Sequence, residues 1–530
     1  MYVIPPHPYP GVYIQEVPSS THTIVGVSTS TTAFIGRALR GDTTQPVTIT
    51  SYADFERSFG GSWSESVLAS VVKDFYLNGG SIAMIVRLYH ASANSKSNAV
   101  LQWDTLTLEA RDPGSWGNNL RMRVTASQAK DTQQRFGLDA TDLFDLAIYD
   151  GNTQNIELFS SLSFKPGSQQ IDKILESQSQ LVRLQGASPS ADTKVPKAHA
   201  DKPAKKGASL WDDDTTSTGV AQKDYASDGD PLADADFIGD DQHDVQAQKT
   251  GLYTLEHVDL FNLLCIPSYN GNDVGAAVIS ESATYCEQRR AMLIVDPPST
   301  WASTQAAMNG INNAEVGTSS ANAMLYFPRI RRYGELRDAV PCGAVAGIIA
   351  RTDIQRGVWK APAGLEAVLN GVARPAIRIT NEENGELNPL AINCLRSMPP
   401  SGTVIWGTRT LNGDDRLGSQ WKYIPVRRLA LYIEESLYRG TQWAVFEPNA
   451  EPLWAQLRLN IGAFMNNLFR QGAFQGQTPK DAYFVQCDNT TTTQNDIDQG
   501  IVNIYVGFAP LKPAEFVILY LQQIAGQLSV

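Results

Sequence analysis

The sequence holds little cysteine and histidine, no excess of basic charge and no long apolar run, and each shortage excludes a class of function. Five cysteines stand at 265, 286, 342, 394 and 487, an odd number without a Cys-x-x-Cys pair. Disulfide scaffolds and thiolate zinc sites need paired spacing, so these read as reduced, buried thiols of a protein folded in cytosol. Six histidines, at 7, 22, 90, 199, 243 and 257, show no metal spacing and stand beside no nucleophile motif. Also absent are Gly-x-x-x-x-Gly-Lys-[Ser/Thr], Gly-x-Gly-x-x-Gly, Gly-x-Ser-x-Gly and His-Glu-x-x-His, the usual marks of nucleotide, hydrolase and zinc chemistry. Neither a cofactor nor a metal is expected, and catalytic residues are expected to be absent.

Acidic residues number 55 against 43 basic ones, for a net charge of −12. A general nucleic-acid binder needs a basic face to displace counterions, so nucleic acid is not an expected partner. The longest uncharged apolar stretch, between Asp338 and Arg351, has 12 residues, too short to cross a bilayer, and no membrane insertion is expected. The opening Met1-Tyr-Val-Ile-Pro-Pro has neither a basic n-region nor an apolar h-region, so no secretory signal is expected.

What is present reads as a multidomain α/β protein, mixed with α+β elements. A length of 530 residues suggests roughly three or four domains. The charged fraction of 18% lies below the usual quarter or so, which suits a subunit with much surface against neighbours. Residues 1–22 carry one strand, Pro10-Gly11-Val12-Tyr13-Ile14-Gln15-Glu16-Val17-Pro18, fenced by Pro and Gly. A lone strand leaves its backbone groups unpaired, so this arm needs a sheet edge. Residues 23–90 show an α/β pattern, with strands at 24–27, 33–35 and 82–88 and a helix at 64–78.

The texture changes to shorter strands over 91–255, an inserted domain. Within it, 186–250 holds 13 Asp and 7 Lys with no Glu or Arg, a net −6, and reads as a solvated, partly flexible loop. The Asp cluster at 212–214 lacks the spacing of a calcium loop. The α/β alternation resumes over 256–410. Residues 411–512 carry two periodic helices, near 425–437 and 449–470, and strands near 483–487 and 502–508. The last segment, 513–530, runs through Phe516, Val517, Ile518, Leu519, Tyr520 and Leu521. Apolar on both faces, it describes a strand inside a sheet.

Three charged groups are candidate sites. Arg351 and Asp353, ahead of Arg356-Gly-Val-Trp359-Lys360, fall in a predicted loop that suits either a hydrolase-like site or a salt-bridged clamp. The run Arg329-Ile-Arg331-Arg332 is the nearest thing to a basic patch. Arg427 and Arg428 sit in the first turn of a helix, where positive charge is unfavourable. An anion should answer them, on another subunit or an enclosed tube, or within the chain at a residue such as Glu434 or Asp414.

The arm Pro10-Gly-Val-Tyr-Ile-Gln-Glu, the Trp359-Lys-Ala-Pro-Ala-Gly364 run, the Trp421-Lys-Tyr-Ile-Pro-Val-Arg-Arg-Leu tract with Tyr432-Ile-Glu-Glu-Ser-Leu437, and Phe446-Glu-Pro-Asn449 before Leu453-Trp together resemble the contractile tail sheath family. The resemblance covers residues 1 to about 90 and about 255 to 530. It implies a sheath-type core with extended N- and C-terminal strand arms, an inserted outer domain and a tube-facing C-terminal domain. It also implies stacked six-subunit rings of this chain around an inner tail tube, with baseplate and terminator or cap proteins at the ends. Assembly in the bacterial cytoplasm, as part of a phage tail or tail-like particle, follows from the same resemblance. In such a sheath, Gly11, Val12, Tyr13 and Ile14, and the apolar residues 516–521, link subunits by adding strands to neighbouring sheets. The polymer waits in a metastable extended state and contracts to drive the tube through a target envelope. Two other readings stand beside it: an α/β enzyme, hydrolase-like, with its site near Arg351 and Asp353, and another component of the same machine.

Overall fold

The computed structural model describes residues 22–127, 138–187, 189–190, 193–239, 249–269 and 273–519. The arm residues Gly11, Val12, Tyr13 and Ile14, and Tyr520 and Leu521 at the other end, lie outside the described residues. The described chain forms two compact units, one of residues 28–428 with 513–519, the other of 22–27 with 429–512.

The larger unit opens with β1 (Thr32–Arg37), β2 (Val47–Ile49), α1 (Tyr52–Phe59), α2 (Leu68–Leu77) and β3 (Ala83–Leu88). Ser51 caps α1 by accepting from the Asp54 amide, and Gly60, at φ 86°, ends it, a division of labour set by what each residue's backbone tolerates. The insertion follows, with β4 (Val100–Trp103), β5 (Leu106–Ala110), β6 (Leu120–Ala126), β7 (Phe144–Asp150), β8 (Ile156–Leu162), α3 (Ile171–Gln178), β9 (Val182–Leu184), β10 (Thr218–Gly219) and α4 (Asp234–Ile238). The chain then returns through β11 (Leu263–Cys265), α5 (Ala276–Gln288), β12 (Met292–Val295), α6 (Thr304–Asn312), β13 (Ala323–Phe327), β14 (Ile330–Arg332), α7 (Cys342–Arg356), β15 (Val372–Pro375), α8 (Asn381–Leu387), β16 (Ile392–Met398) and β17 (Gly402–Trp406).

Eight strands from both sides of the insertion make one sheet, in the order β17-β16-β13-β12-β11-β1-β3-β2. Pairing is parallel from β16 through β3, and β17 and β2 close the two edges antiparallel. All residues of β1, β12 and β13 are buried, as a parallel sheet covered on both faces requires. One cover is the pair α2 and α7. A Cβ added at Gly343 would meet the Val71 carbonyl oxygen at 2.1 Å, and one at Gly347 the Phe75 carbonyl oxygen at 2.5 Å. These two glycines, one turn apart on α7, let the helix backbones touch.

The insertion builds its own core. Sheets β10-β6-β7-β8 and β4-β5-β9 bury Leu106, Leu108, Met122, Val124, Leu146 and Ile148 together, and β6 and β7 alternate buried and half-buried positions, the period of a sheet with one covered face. The acidic stretch differs from the solvated loop that its composition predicts. Thr216, Ser217, His199 and Asp224 are buried, and Leu232 and Phe237 belong to the core under the eight-stranded sheet. Asp213 works on its own backbone, accepting from the Thr215 amide and hydroxyl at 2.9 and 2.6 Å, which holds its carboxyl at about 2, well below the usual carboxylate range, whereas Asp214 and Asp224 pair with Arg121 and Lys96. Asp is short enough for such a turn and Glu is not.

In the smaller unit, helix α9 (Ile424–Gly440) contributes its residues from 429 onward, and α10 (Glu451–Arg470) packs on the hairpin-like pair β18 (Tyr483–Gln486) and β19 (Tyr505–Phe508). Leu453, Leu457, Ile461, Phe464 and Leu468 form the buried stripe of α10, at the helical spacing the sequence predicts. Residues 24–27, predicted as a strand, lie instead as extended chain against the end of α9. The Val27 amide donates to the Ser436 hydroxyl at 3.2 Å, and Ile24 fills the space that a Cβ on Gly440 would occupy, 2.7 Å away. An amide satisfied by a side chain has no need of a sheet.

Replacing Gly343 with Val should separate α2 from α7 and cost about 1–3 kcal/mol, read as a lower midpoint in equilibrium denaturation.

Candidate assembly site

Arg427 and Arg428 open α9, where free amides already carry partial positive charge. The anion that answers Arg428 comes from its own chain. Its Nη1 and Nη2 donate to the two carboxylate oxygens of Asp353 at 2.7 and 2.6 Å, and Nη2 donates to the Thr29 carbonyl at 2.8 Å. The two side chains are only 4% and 3% exposed. Arg428 is therefore not a tube contact in this structure, because its fork is filled and sealed, and its partner is neither Glu434 nor Asp414. Arg427 donates to Asn322 Oδ1 at 2.9 Å and lies over the Trp421 ring.

The same pair decides the reading of Arg351 and Asp353. The predicted loop is in fact the last turns of α7, and Asp353 clamps that helix to α9. Arg351 donates to the carbonyls of Val368 and Glu366 at 3.0 and 3.2 Å, and burial pushes its guanidinium below the usual arginine range. A carboxylate with both oxygens spent on a buried guanidinium has none left for acid–base work. Arg329 pairs with Asp273, Arg331 with Asp338 at 2.6 Å and Arg332 with Asp74 at 2.7 Å, so the basic run presents no bare positive patch.

Two features of the described chain end in solvent. Phe516, Val517, Ile518 and Leu519 carry no secondary structure and are 76%, 79%, 70% and 80% exposed. The segment is rooted one residue earlier, where Glu515 takes a two-pronged bond from buried Arg409 at 2.9 and 2.7 Å. The second feature is the β18–β19 pair, with register Tyr483↔Phe508 to Gln486↔Tyr505. It is a sheet of two strands among the described residues, so each has a free edge, and Phe484 and Tyr505 stand 57% and 59% exposed. Two strands are at best marginal as a complete sheet, and free edges accept further strands.

Sequence reasoning missed Asp296, Arg409 and Glu515. For Glu515 a signal exists, a single carboxylate between Lys512-Pro-Ala and an apolar run. Asp296 follows β12, beside the carboxyl ends of β11 and β13, with Oδ1 accepting from the Cys342 amide at 2.9 Å and Oδ2 sealed without a partner among the described residues. Burial pushes its carboxyl up to about 6. The adjoining cavity, lined also by Asp273 and Arg329, holds about 40 Å³, space for a few waters and far below a substrate site. Among the described residues no cluster of three or more His, Cys, Asp or Glu is placed to hold a metal, and no helix is long and apolar enough to cross a membrane.

Two predictions follow from these charges. Asp353→Ala leaves Arg428 buried and unanswered, which should cost on the order of 3–5 kcal/mol, whereas the double variant Asp353→Leu with Arg428→Met should recover most of the loss in the same denaturation assay. For Asp296, the folded state favours the protonated acid, so its stabilising effect is full below the unfolded value near 3.8, falls between there and about 6, and stays lost above. Asp296→Asn should therefore raise the melting temperature at pH 7 and leave it unchanged near pH 4, with a limit of about 3 kcal/mol from a two-unit displacement.

Comparison with known proteins gives these features a context. Residues 247–411 match the family described as phage tail sheath protein central domain, and 417–524 match the phage tail sheath C-terminal domain, together just over half of the chain. The tail sheath protein of Enterobacteria phage T4 is 28% identical over 187 residues, 34% of this chain. The match spans about a quarter of that relative's length, 26%. Among solved structures, a chain of the anti-feeding prophage baseplate aligns over 98% of this chain and 99% of its own, with TM-score 0.56 and 22% identity. A chain of the contracted PVC sheath complex, an extracellular contractile injection system, aligns over 97% of each with TM-score 0.56 and 22% identity. The sheath tail protein of Listeria innocua aligns over 92% of this chain and 96% of its own, with TM-score 0.60 and 13% identity. These structural likenesses establish a shared fold.

Proposed function

This chain belongs to the phage tail sheath family, whose members are structural proteins and not enzymes, and from that premise we propose that it polymerises as stacked six-subunit rings around an inner tail tube. The observation that carries the proposal is an exposed, apolar, rooted segment at 516–519 together with a two-stranded sheet whose edges carry no further strand among the described residues. Each is incomplete alone, and each offers what the other lacks. In the polymer, 516–521 of one copy adds a strand to the β18–β19 sheet of another, and the N-terminal arm at Gly11, Val12, Tyr13 and Ile14 does the same on a further copy. Backbone hydrogen bonds give the affinity, and alternating apolar side chains set the register.

The rings are held in an extended state and shorten when released, which drives the tube through a target envelope. The free energy is stored in subunit interfaces, because the contracted packing makes the better contacts. No cofactor or nucleotide takes part in firing. Baseplate proteins nucleate one end and a terminator or cap closes the other, with assembly in the bacterial cytoplasm. The insertion, with its acidic surface, faces outward, where solvent contact favours it.

Negative-stain electron microscopy of the purified chain at high concentration tests the reading. The intact chain should give hollow ribbed cylinders of uniform width, and a chain ending at Glu515 should give only small particles. Cylinders that persist without 516–530 would overturn the assignment of the tail.

A further inference from the structure

Over 511–519 the backbone makes no hydrogen bond among the described residues, and the segment touches the fold through a single polar group. Leu511, Lys512 and Phe516–Leu519 are exposed, but the Glu515 side chain between them is only 12% exposed. Its Oε1 and Oε2 accept from Arg409 Nε and Nη2, and Oε2 also accepts from the Tyr423 hydroxyl at 3.2 Å. Arg409 is 1% exposed, and its remaining Nη1 donates to Asp415 Oδ1 at 3.0 Å, which Lys422 also engages at 2.6 Å. Two cations and two anions thus close a neutral cluster, the condition under which buried charge is tolerated.

The cluster continues inward. The Arg409 amide donates to Asn393 Oδ1 at 2.7 Å, and Asn393 Nδ2 donates back to the Arg409 carbonyl at 2.8 Å and to the Leu325 carbonyl at 3.0 Å. Asn393 is fully buried on β16 and Leu325 lies on β13. A Cβ on Gly407 would meet Asn393 Cα at 2.8 Å, so the chain entering Arg409 lies hard against that strand. A line of hydrogen bonds, relayed through Arg409, therefore runs from β13 and β16, at one side of the parallel sheet, to the root of the apolar tail.

We propose that Arg409 and Glu515 form a mechanical anchor, through which a neighbouring copy that grips 516–521 pulls on the parallel sheet itself and not on the slack chain after β19. The anchor rests on the sheath reading for the identity of the gripping partner. Its geometry assigns Arg409 and Glu515 as positioning residues, which fix where the tail leaves the subunit and so which neighbour it reaches. Without them, 511–519 is a free tether and the strand it delivers loses direction, because a flexible link lowers the effective concentration of its end at any one site.

The test uses the full chain and two readouts. A spin label on Val517→Cys, placed in dispersed protein where the five native cysteines are buried, should report a restrained tail in the parent and a freely tumbling one after Glu515→Gln, both read well below the melting temperature of the less stable chain. In assembly, Glu515→Gln should need about tenfold more protein to form cylinders, the equivalent of 1.4 kcal/mol, and its rings should part under shear that the parent survives. Glu515→Asp, which keeps the charge, should recover part of both. An equally mobile label in parent and variant, or cylinders equal in onset and cohesion, would overturn the anchor while leaving the sheath reading intact. Absence of cylinders from the parent would instead count against the sheath reading, and the label would still decide the anchor.

Discussion

A parallel sheet has no face that tolerates water, and the architecture of this protein follows from covering six parallel strands on both sides. The cover must come close, since β1, β12 and β13 bury every residue. Gly343 and Gly347 make that approach possible by removing side chains where α7 meets α2. Once α7 is fixed, its last turns carry Asp353 to Arg428, and the first turn of α9 is held in place by a buried charge pair, with the Thr29 carbonyl as a further acceptor. The same logic operates at Arg409, whose buried guanidinium requires Glu515 and so ties the tail to the sheet. Packing thus decides where charge is buried, and buried charge decides where the tail leaves the fold.

The proposed contractile polymer calls for a division between a rigid core and an exposed link such as 516–519. A subunit that must keep its shape while its neighbours move should spend its strong interactions internally and leave its links as backbone strands, which pair by hydrogen bonds and can pivot at their roots. The surface features here follow that division. Arginines that look available in the sequence are consumed within the chain, and the exposed apolar surface of the tail stands beyond a single buried tether.

Much of this was legible from residue pattern. The helices read near 425–437 and 449–470 and the strand read at 82–88 appear, within a few residues, as α9, α10 and β3, because apolar period and Gly and Pro punctuation mark them. What escaped the sequence has physical causes. Residues 24–27 have strand composition, but the Val27 amide is satisfied by Ser436 of α9 and Ile24 packs on Gly440, a tertiary choice invisible to propensity. The loop predicted at 351–360 begins as helix, because Arg351 and Asp353 are polar for the sake of distant partners. The acidic stretch reads as solvated by charge count, whereas Asp213 is bound to a neighbouring amide and hydroxyl and Asp224 pairs with Lys96. Arg409 and Glu515 stand 106 positions apart, and no local pattern links them.

The most direct measurement of the central claim is a reconstruction of the assembled polymer at a resolution that traces backbone. The account predicts that residues 516–521 of each subunit lie as an added strand on the edge of β18 or β19 of a different subunit, with Glu515 still on Arg409 of its own. A polymer in which both edges of that sheet face solvent, with the tail folded elsewhere, would contradict it.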